Sequence, residues 1–298
     1  MGIKNPEGKP LVALVRSRGH YEGVQEALML IKDQVAQGIK GKKKVLVKPN
    51  FVSARVQLSA TPVEAVRAVL DLVTQYHSGK IIIAEGPAIS TFQEGLRNFG
   101  YLRLRDEYDV EFIDLNEDEP GEVEILNSHL KPISVHVART VVESDYRISV
   151  TRPKTHDEVI VTLSIKNTAV GSLLKGDKSR IHQGYKAINL NLARISKLTL
   201  PHLGVIDGFI GMEGNGPVSG TPINFGIAAA SLDPVALDAV VAEAMGFNPQ
   251  DVGYLHYLGE WGIGTLDLDK IEIRGIPLEK VKRSFKPHSG YREQLKWR

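Results

Sequence analysis

The sequence predicts an α/β protein, a mostly parallel twisted sheet with helices on both faces in Rossmann-like layers. Three observations carry this. Short β-branched runs alternate with helical stretches, as βαβ construction requires. Several of these runs end abruptly in charge. The 298 residues, 42% hydrophobic and 24% charged, give ample material for a core and exclude disordered, collagen-like and fibrous classes.

In chain order, Leu11 to Val15 reads as a strand, followed by a helix near Tyr21 to Gln37 with Val24, Leu28 and Ile31 on one face. Lys44 to Val47 is the next strand. Thr61-Pro62-Val63-Glu64 has the residues of a capping box, which places a helix start at Thr61. Lys80 to Ala84 is a strand, Thr91 to Phe99 a short helix ended by Gly100, and Val110 to Leu115 a further strand. Asn116 to Pro132 is acidic and turn-rich, and is expected to form a solvated excursion or small hairpin. Tyr146 to Val150 and Val159 to Ile165 read as strands, Tyr185 to Leu198 as a helix, and Leu203 to Ile206 and Phe225 to Ser231 as strands. Asp233-Pro234 caps a helix running to Met245, another helix covers Pro249 to Tyr257, and Ile271 to Ile273 is an edge strand. Residues 10–279 are read as one α/β domain, and residues 280–298 as a loosely held basic tail.

Composition narrows the function classes. Lysine and arginine exceed the acidic residues by only two, so the chain as a whole has no charge suited to nucleic acid or a membrane surface. No apolar run approaches the length of a membrane span, and Met1 to Pro6 contains no apolar signal region, so the expected compartment is the cytoplasm. There is no cysteine, which rules out thiol nucleophiles, zinc–thiolate sites and cysteine-ligated iron–sulfur clusters. Any metal must take oxygen or nitrogen ligands.

Ligands of open parallel α/β sheets sit outside the carboxyl ends of the strands. Here those ends deliver Lys48-Pro49-Asn50, Glu85-Gly86-Pro87, Thr151 to His156 and Asp207-Gly208. Parallel strands would therefore gather Lys48, Glu85, Lys154, His156 and Asp207 on one rim. The segment Thr151 to Lys186 carries seven basic side chains against three acidic ones and suits an anionic ligand. Within it, His156 and His182 are candidate proton-transfer groups, and Lys166-Asn167 with Gly171 suggests backbone held close to a ligand. A glycine-rich stretch follows Asp207, with five glycines between Gly208 and Gly220, suited to an anion cradle or a closing lid. It matches neither the dinucleotide fingerprint nor a P-loop. Asp207, Glu213 and Asp238 are the candidate oxygen ligands for a divalent cation, although Asp233 beside them is fully explained as a helix cap.

The order of Val47-Lys48-Pro49-Asn50, Thr61-Pro62, Pro153-Lys154-Thr155-His156, Ser164-Ile165-Lys166-Asn167 with Gly171, Ile206-Asp207-Gly208 through Met212-Glu213-Gly214-Asn215-Gly216-Pro217 and Gly220, and Asp233 to Asp238 resembles the family called domain of unknown function 362. The resemblance spans roughly residues 44–245. It points to Lys48, Asn50, Lys154, His156, Lys166, Asn167, Asp207, Glu213, Asn215 and Asp238 as site positions without assigning their roles. Some proteins of that family carry ferredoxin-like modules and iron–sulfur clusters. The absence of cysteine here prevents that property from being carried over.

These features favour an enzyme acting on a small phosphate- or carboxylate-bearing metabolite by acid/base chemistry. His156, Asp207 and Glu213 are the expected catalytic groups. Lys48, Asn50, Lys154, Lys166, Asn167, Gly214, Asn215, Gly216 and His182 are the expected substrate contacts, with the loop Gly208 to Gly220 closing over them. A non-catalytic anion carrier is the alternative, and a homo-oligomer is compatible with either. Nucleic-acid binding draws only on the tail, which has seven basic residues against Glu293 alone.

Overall fold

The structure, a computed structural model, describes residues 8–298; the expectation for Met1 to Pro6 lies outside the described residues. The first half contains β1 (Leu11–Arg16), α1 (His20–Met29), α2 (Lys32–Ile39), β2 (Val45–Lys48), α3 (Val63–Val73), β3 (Ile81–Glu85), α4 (Phe92–Asn98), α5 (Leu104–Glu107) and β4 (Val110–Asp114). A hairpin of β5 (Pro120–Leu126) and β6 (Pro132–Ala138) follows, then α6 (Arg139–Glu143), β7 (Tyr146–Thr151), β8 (Lys154–His156), β9 (Ile160–Thr162) and α7 (Ser164–Gly171). The remainder is α8 (Tyr185–Thr199), β10 (Leu203–Glu213), β11 (Thr221–Ser231), α9 (Pro234–Ala244), α10 (Gly253–Glu260), β12 (Glu272–Gly275) and α11 (Tyr291–Gln294).

The main sheet runs β12-β1-β11-β10-β7-β2-β3-β4, and only β11 runs against its neighbours. The mostly parallel α/β architecture is therefore present, and the strands that carry Lys48, Glu85, Thr151 and Ile206 lie side by side. Alternate side chains of each strand feed different layers. Val45, Val47, Ile148, Val150 and Val205 pack with α1, α2 and α3, whereas Ile206, Ile227 and Ala229 pack with α7, α8 and α9.

Several local expectations are corrected. The predicted helix over residues 21–37 is two helices interrupted at Leu30 and Ile31. The capping box at Thr61 does not form. Its hydroxyl instead accepts from Asn50 N–H at 2.9 Å and donates to the Val150 carbonyl at 2.8 Å, and the helix starts one residue beyond Pro62. A reciprocal capping box does form at Thr91 and Glu94. Residues 159–165 are not one strand, because the chain leaves β9 at Thr162 and turns into α7 at Ser164. The acidic excursion is the β5–β6 hairpin, which continues to Ala138. Much of the glycine-rich stretch extends β10 in antiparallel pairing with β11, so only its tip between Glu213 and Thr221 is a loop.

The basic tail is packed rather than loose. Phe285 and Trp297 are buried, and Phe285 meets Phe225 edge-on with centroids 4.8 Å apart. Fully buried Gln294 accepts from Ile160 N–H at 2.8 Å and donates to the His156 carbonyl at 2.8 Å, tying α11 to both strands of the β8–β9 hairpin. Gln294→Ala leaves two buried backbone groups unpaired and is expected to lower unfolding free energy by about 1–3 kcal/mol, measured as a reduced urea midpoint. An unchanged midpoint would mean that the tail does not hold this hairpin.

Candidate functional site

Strand register decides what meets at the carboxyl edge. Lys48 lies opposite Ser149 in the β2–β7 ladder and shares its face of the sheet. That face is covered by α7, which passes directly over Lys48. Gly171 makes the approach possible, since a Cβ at this position would overlap the Lys48 ammonium. The Lys48 Nζ contacts the Glu85 carboxylate and donates to Asn167 Oδ1 at 3.1 Å and to the Pro49 carbonyl at 3.2 Å. Asn167 returns two bonds, from Nδ2 to the Lys48 carbonyl at 3.2 Å and to Ser149 Oγ at 3.0 Å. Burial pushes the Lys48 ammonium down and the Glu85 carboxyl up, while their mutual attraction opposes both shifts.

Lys154 projects from the start of β8 and is fully buried. Its amine contacts the Asn50 side-chain oxygen and donates to the Ser59 carbonyl at 2.5 Å. Burial, reinforced by the charges of Arg152 and Lys166, moves it well below the ordinary lysine value, which favours the neutral amine. His156, two residues on, is held neutral mainly by burial and then by the neighbouring Lys166 charge. Its Nδ1 accepts the Glu158 N–H at 3.0 Å, which leaves the ring proton on Nε2. The Asp157 carboxylate 3.0 Å from the same Nδ1 is consequently a neighbour of a neutral ring rather than the partner of an imidazolium.

Lys166 stands on the first turn of α7, 8% exposed, and burial lowers its ammonium to about 8. It makes no hydrogen bond or ion pair with the described residues. Asp157 and Glu158 favour its charged form from a distance. Lys178 is likewise pushed to about 8 by burial, and donates to Asn116 Oδ1 at 2.8 Å and to the Leu173 carbonyl.

These groups surround a cavity of about 530 Å³. Its polar wall includes Asn50, Glu85, His156, Lys166, Asn167, Lys178, His182 and His288, and its apolar wall includes Val52, Ile89, Val170, Ile181 and Ile188. The tip of the β10–β11 hairpin closes one side through Asn215, Gly216 and Ser219. Gly216 packs so tightly on the Thr155 carbonyl that a Cβ would overlap it. Gly214, at φ 76°, makes the turn without lining the cavity, and its N–H donates to the Lys286 carbonyl at 2.7 Å.

The sequence-predicted residues separate into three groups. Asn50, His156, Lys166, Asn167, His182, Asn215 and Gly216 line the cavity, with Lys48 and Lys154 buried behind its wall. Asp207, Glu213 and Asp238 do not line it. Asp207 is bonded to His20, Glu213 accepts the Lys286 N–H at 2.8 Å, and Asp238 holds the first turn of α7. The three carboxylates thus serve three separate structures, and the described residues contain no cluster of three or more His, Asp or Glu side chains arranged to hold a metal. Lys178 reads in sequence like a solvated lysine of a basic run, yet it lines the cavity. Sequence reasoning passed over His288, which has no sequence signal other than its place in the tail.

Fold and site together define an α/β protein with a basic, half-apolar cavity at the carboxyl edge of its sheet. The chain belongs to the family described as domain of unknown function DUF362, whose profile matches residues 45–243. It is 26% identical over 250 residues to the thylakoid-associated protein sll1697 of Synechocystis sp., covering 81% of this chain and 76% of that protein. Among solved structures it is similar to the lactate racemase apoprotein from Thermoanaerobacterium thermosaccharolyticum. There the sequence identity is 16% and the TM-score 0.49, and the match covers 78% of this chain and 57% of that one. No helix among the described residues is long and apolar enough to cross a membrane.

Asp238 positions the cavity's lysine without reaching the cavity. Its two oxygens accept from Ser164 N–H at 3.0 Å, Ser164 Oγ at 2.5 Å and Ile165 N–H at 2.9 Å, in full burial that raises the carboxyl to about 7. Asp238→Ala strips three buried donors of their acceptor and is expected to cost about 2–4 kcal/mol of stability in denaturant titration. A loss below about 0.5 kcal/mol would show that α7 starts independently of this cap.

Proposed function

We propose that the protein is a cytoplasmic enzyme acting by acid/base chemistry on a small metabolite that carries a phosphate or carboxylate. The observation behind this reading is the Lys166 ammonium, buried in the cavity wall with no acceptor of its own among the described residues. A buried cation in that state gains most from an anion entering the cavity. In this reading Lys166 holds the anionic group and Asn50, fixed by Lys154, offers an amide beside it. The neutral His156 presents its Nε2–H to a substrate oxygen and exchanges a proton there. Glu85, restrained by Lys48, supplies the opposite pole in place of Asp207 and Glu213. Val52, Ile89 and Val170 exclude water from the reacting part of the substrate.

A carrier that binds the anion without transforming it is favoured by one observation. The two carboxylates expected to complete an acid/base pair, Asp207 and Glu213, lie away from the cavity. Replacing His156 separates the readings. His156→Ala is expected to abolish turnover on a panel of phosphorylated and carboxylated metabolites while retaining the native circular dichroism spectrum. Turnover by that variant would refute the role of His156, and retained affinity with no turnover in either protein would favour the carrier.

The lysine also sets a pH dependence. Lys166 must be protonated to hold an anion, so affinity for inorganic phosphate in calorimetry is expected to be strong below about pH 8 and to fall as pH rises through that value. Lys166→Met is expected to weaken binding about tenfold or more and to leave only the smaller pH dependence due to Lys178. Equal affinity at pH 7 and pH 9.5 in the unsubstituted protein would be incompatible with the assignment.

A further inference from the structure

The carboxylate that ends the core of β10 has a partner that sequence spacing does not suggest. Asp207 Oδ2 lies 2.7 Å from Nδ1 of His20, the first residue of α1, and Asp207 Oδ1 accepts the Phe209 N–H at 3.2 Å. The carboxylate is completely buried, whereas the His20 side chain is 26% exposed. The Phe209 ring meets the imidazole edge-on at 5.2 Å, fixing its plane. With Nδ1–H donated to the carboxylate, Nε2 is the nitrogen left to exchange protons with a ligand.

His20 opens on a cleft of about 440 Å³ whose wall also contains Arg97, Arg103, Arg152, Glu64 and Asn98. Arg152 is the informative residue. Only 4% of it is exposed, Nε donates to the Ala60 carbonyl at 3.3 Å and Nη1 to the Ile210 carbonyl at 3.1 Å. Nη2 takes no acceptor among the described residues. Glu64, the acidic side chain in this wall, lies 4.0 Å from Arg103, and Asp207 favours the charge of Arg152 without accepting a hydrogen bond from it. A buried guanidinium with an unused donor edge in a cleft wall is incomplete without an oxyanion.

We propose that this cleft is a second oxyanion site, in which Arg152, assisted at the rim by Arg103, holds a phosphate or carboxylate group against the His20–Asp207 dyad. His20 Nε2 accepts a hydrogen bond from a protonated oxygen of the bound group, while its Nδ1 stays held by the Asp207 carboxylate behind it. The site is independent of the Lys166 cavity, because Asp207 and Lys48 leave their strands on opposite faces of the sheet.

The test is a phosphate titration of the full chain labelled with ¹⁵N-histidine, with the His20 imidazole signals assigned by their loss in His20→Gln. The His20 signals are expected to shift saturably with inorganic phosphate, with the same apparent affinity in Lys166→Met. Arg152→Lys is expected to weaken the response about tenfold, and Arg103→Ala, at an exposed position that does not endanger folding, to weaken it by a smaller factor. Three outcomes would overturn the proposal. His20 signals could stay unmoved at phosphate concentrations well above millimolar, the response could vanish in Lys166→Met, or it could persist at full affinity in both arginine variants.

Discussion

A buried ion pair organises the carboxyl edge of this protein. Lys48 and Glu85 end neighbouring parallel strands and meet in almost complete burial, where either charge alone would be strongly unfavourable. Their contact fixes the spacing between β2 and β3 at the rim. It also creates the demand that Asn167 meets, because the third donor of the lysine needs an oxygen, and the amide that supplies it sits on α7. The helix can come this close only because Gly171 has no side chain. Lys166 stands next to Asn167 in sequence, so its place in the cavity wall follows from the placement of the ion pair.

The same edge is divided by the alternation of side chains along a strand. In the ladders joining β2, β7 and β10, Lys48 aligns with Ser149, and Thr151 with Ile206. Asp207 follows Ile206 and must face the other way, toward α1. Two clusters of charge at one rim are thus kept apart by the thickness of the sheet. Arg152 follows Thr151 and donates to the Ala60 and Ile210 carbonyls, with its charge felt by both Asp207-side and Lys154-side groups of the rim.

What the residue order discloses here is the set of parallel strands and the charged residues that end them. The apolar runs at Leu46, Ile83, Val150 and Val205 are short, β-branched and abruptly terminated, and each became a strand of the main sheet. Register is what the chain order does not display, and register determined which charged groups share a cavity. The other misreadings have the same origin in distant partners. Thr61 gives its hydroxyl to β7 rather than to its own helix. The helix at Ser164 is buried on nearly every side, so it has no amphipathic period to betray it, and its cap is supplied by Asp238 from 74 positions away. The tail reads as solvated because its basic residues hide Phe285, Gln294 and Trp297 among them.

The clasp between Gln294 and the β8–β9 hairpin joins positions 134 residues apart in the chain. Closing a loop of that length costs chain entropy, which the packing of Phe285 and Trp297 around the clasp offsets. The clasp holds the backbone carbonyl of His156, so the place of this residue at the cavity wall depends on a segment remote in sequence. Local opening that releases the far end of the chain would free the β8–β9 hairpin, which hangs on the main sheet by the single pairing of Lys154 with Met212, before the central strands part.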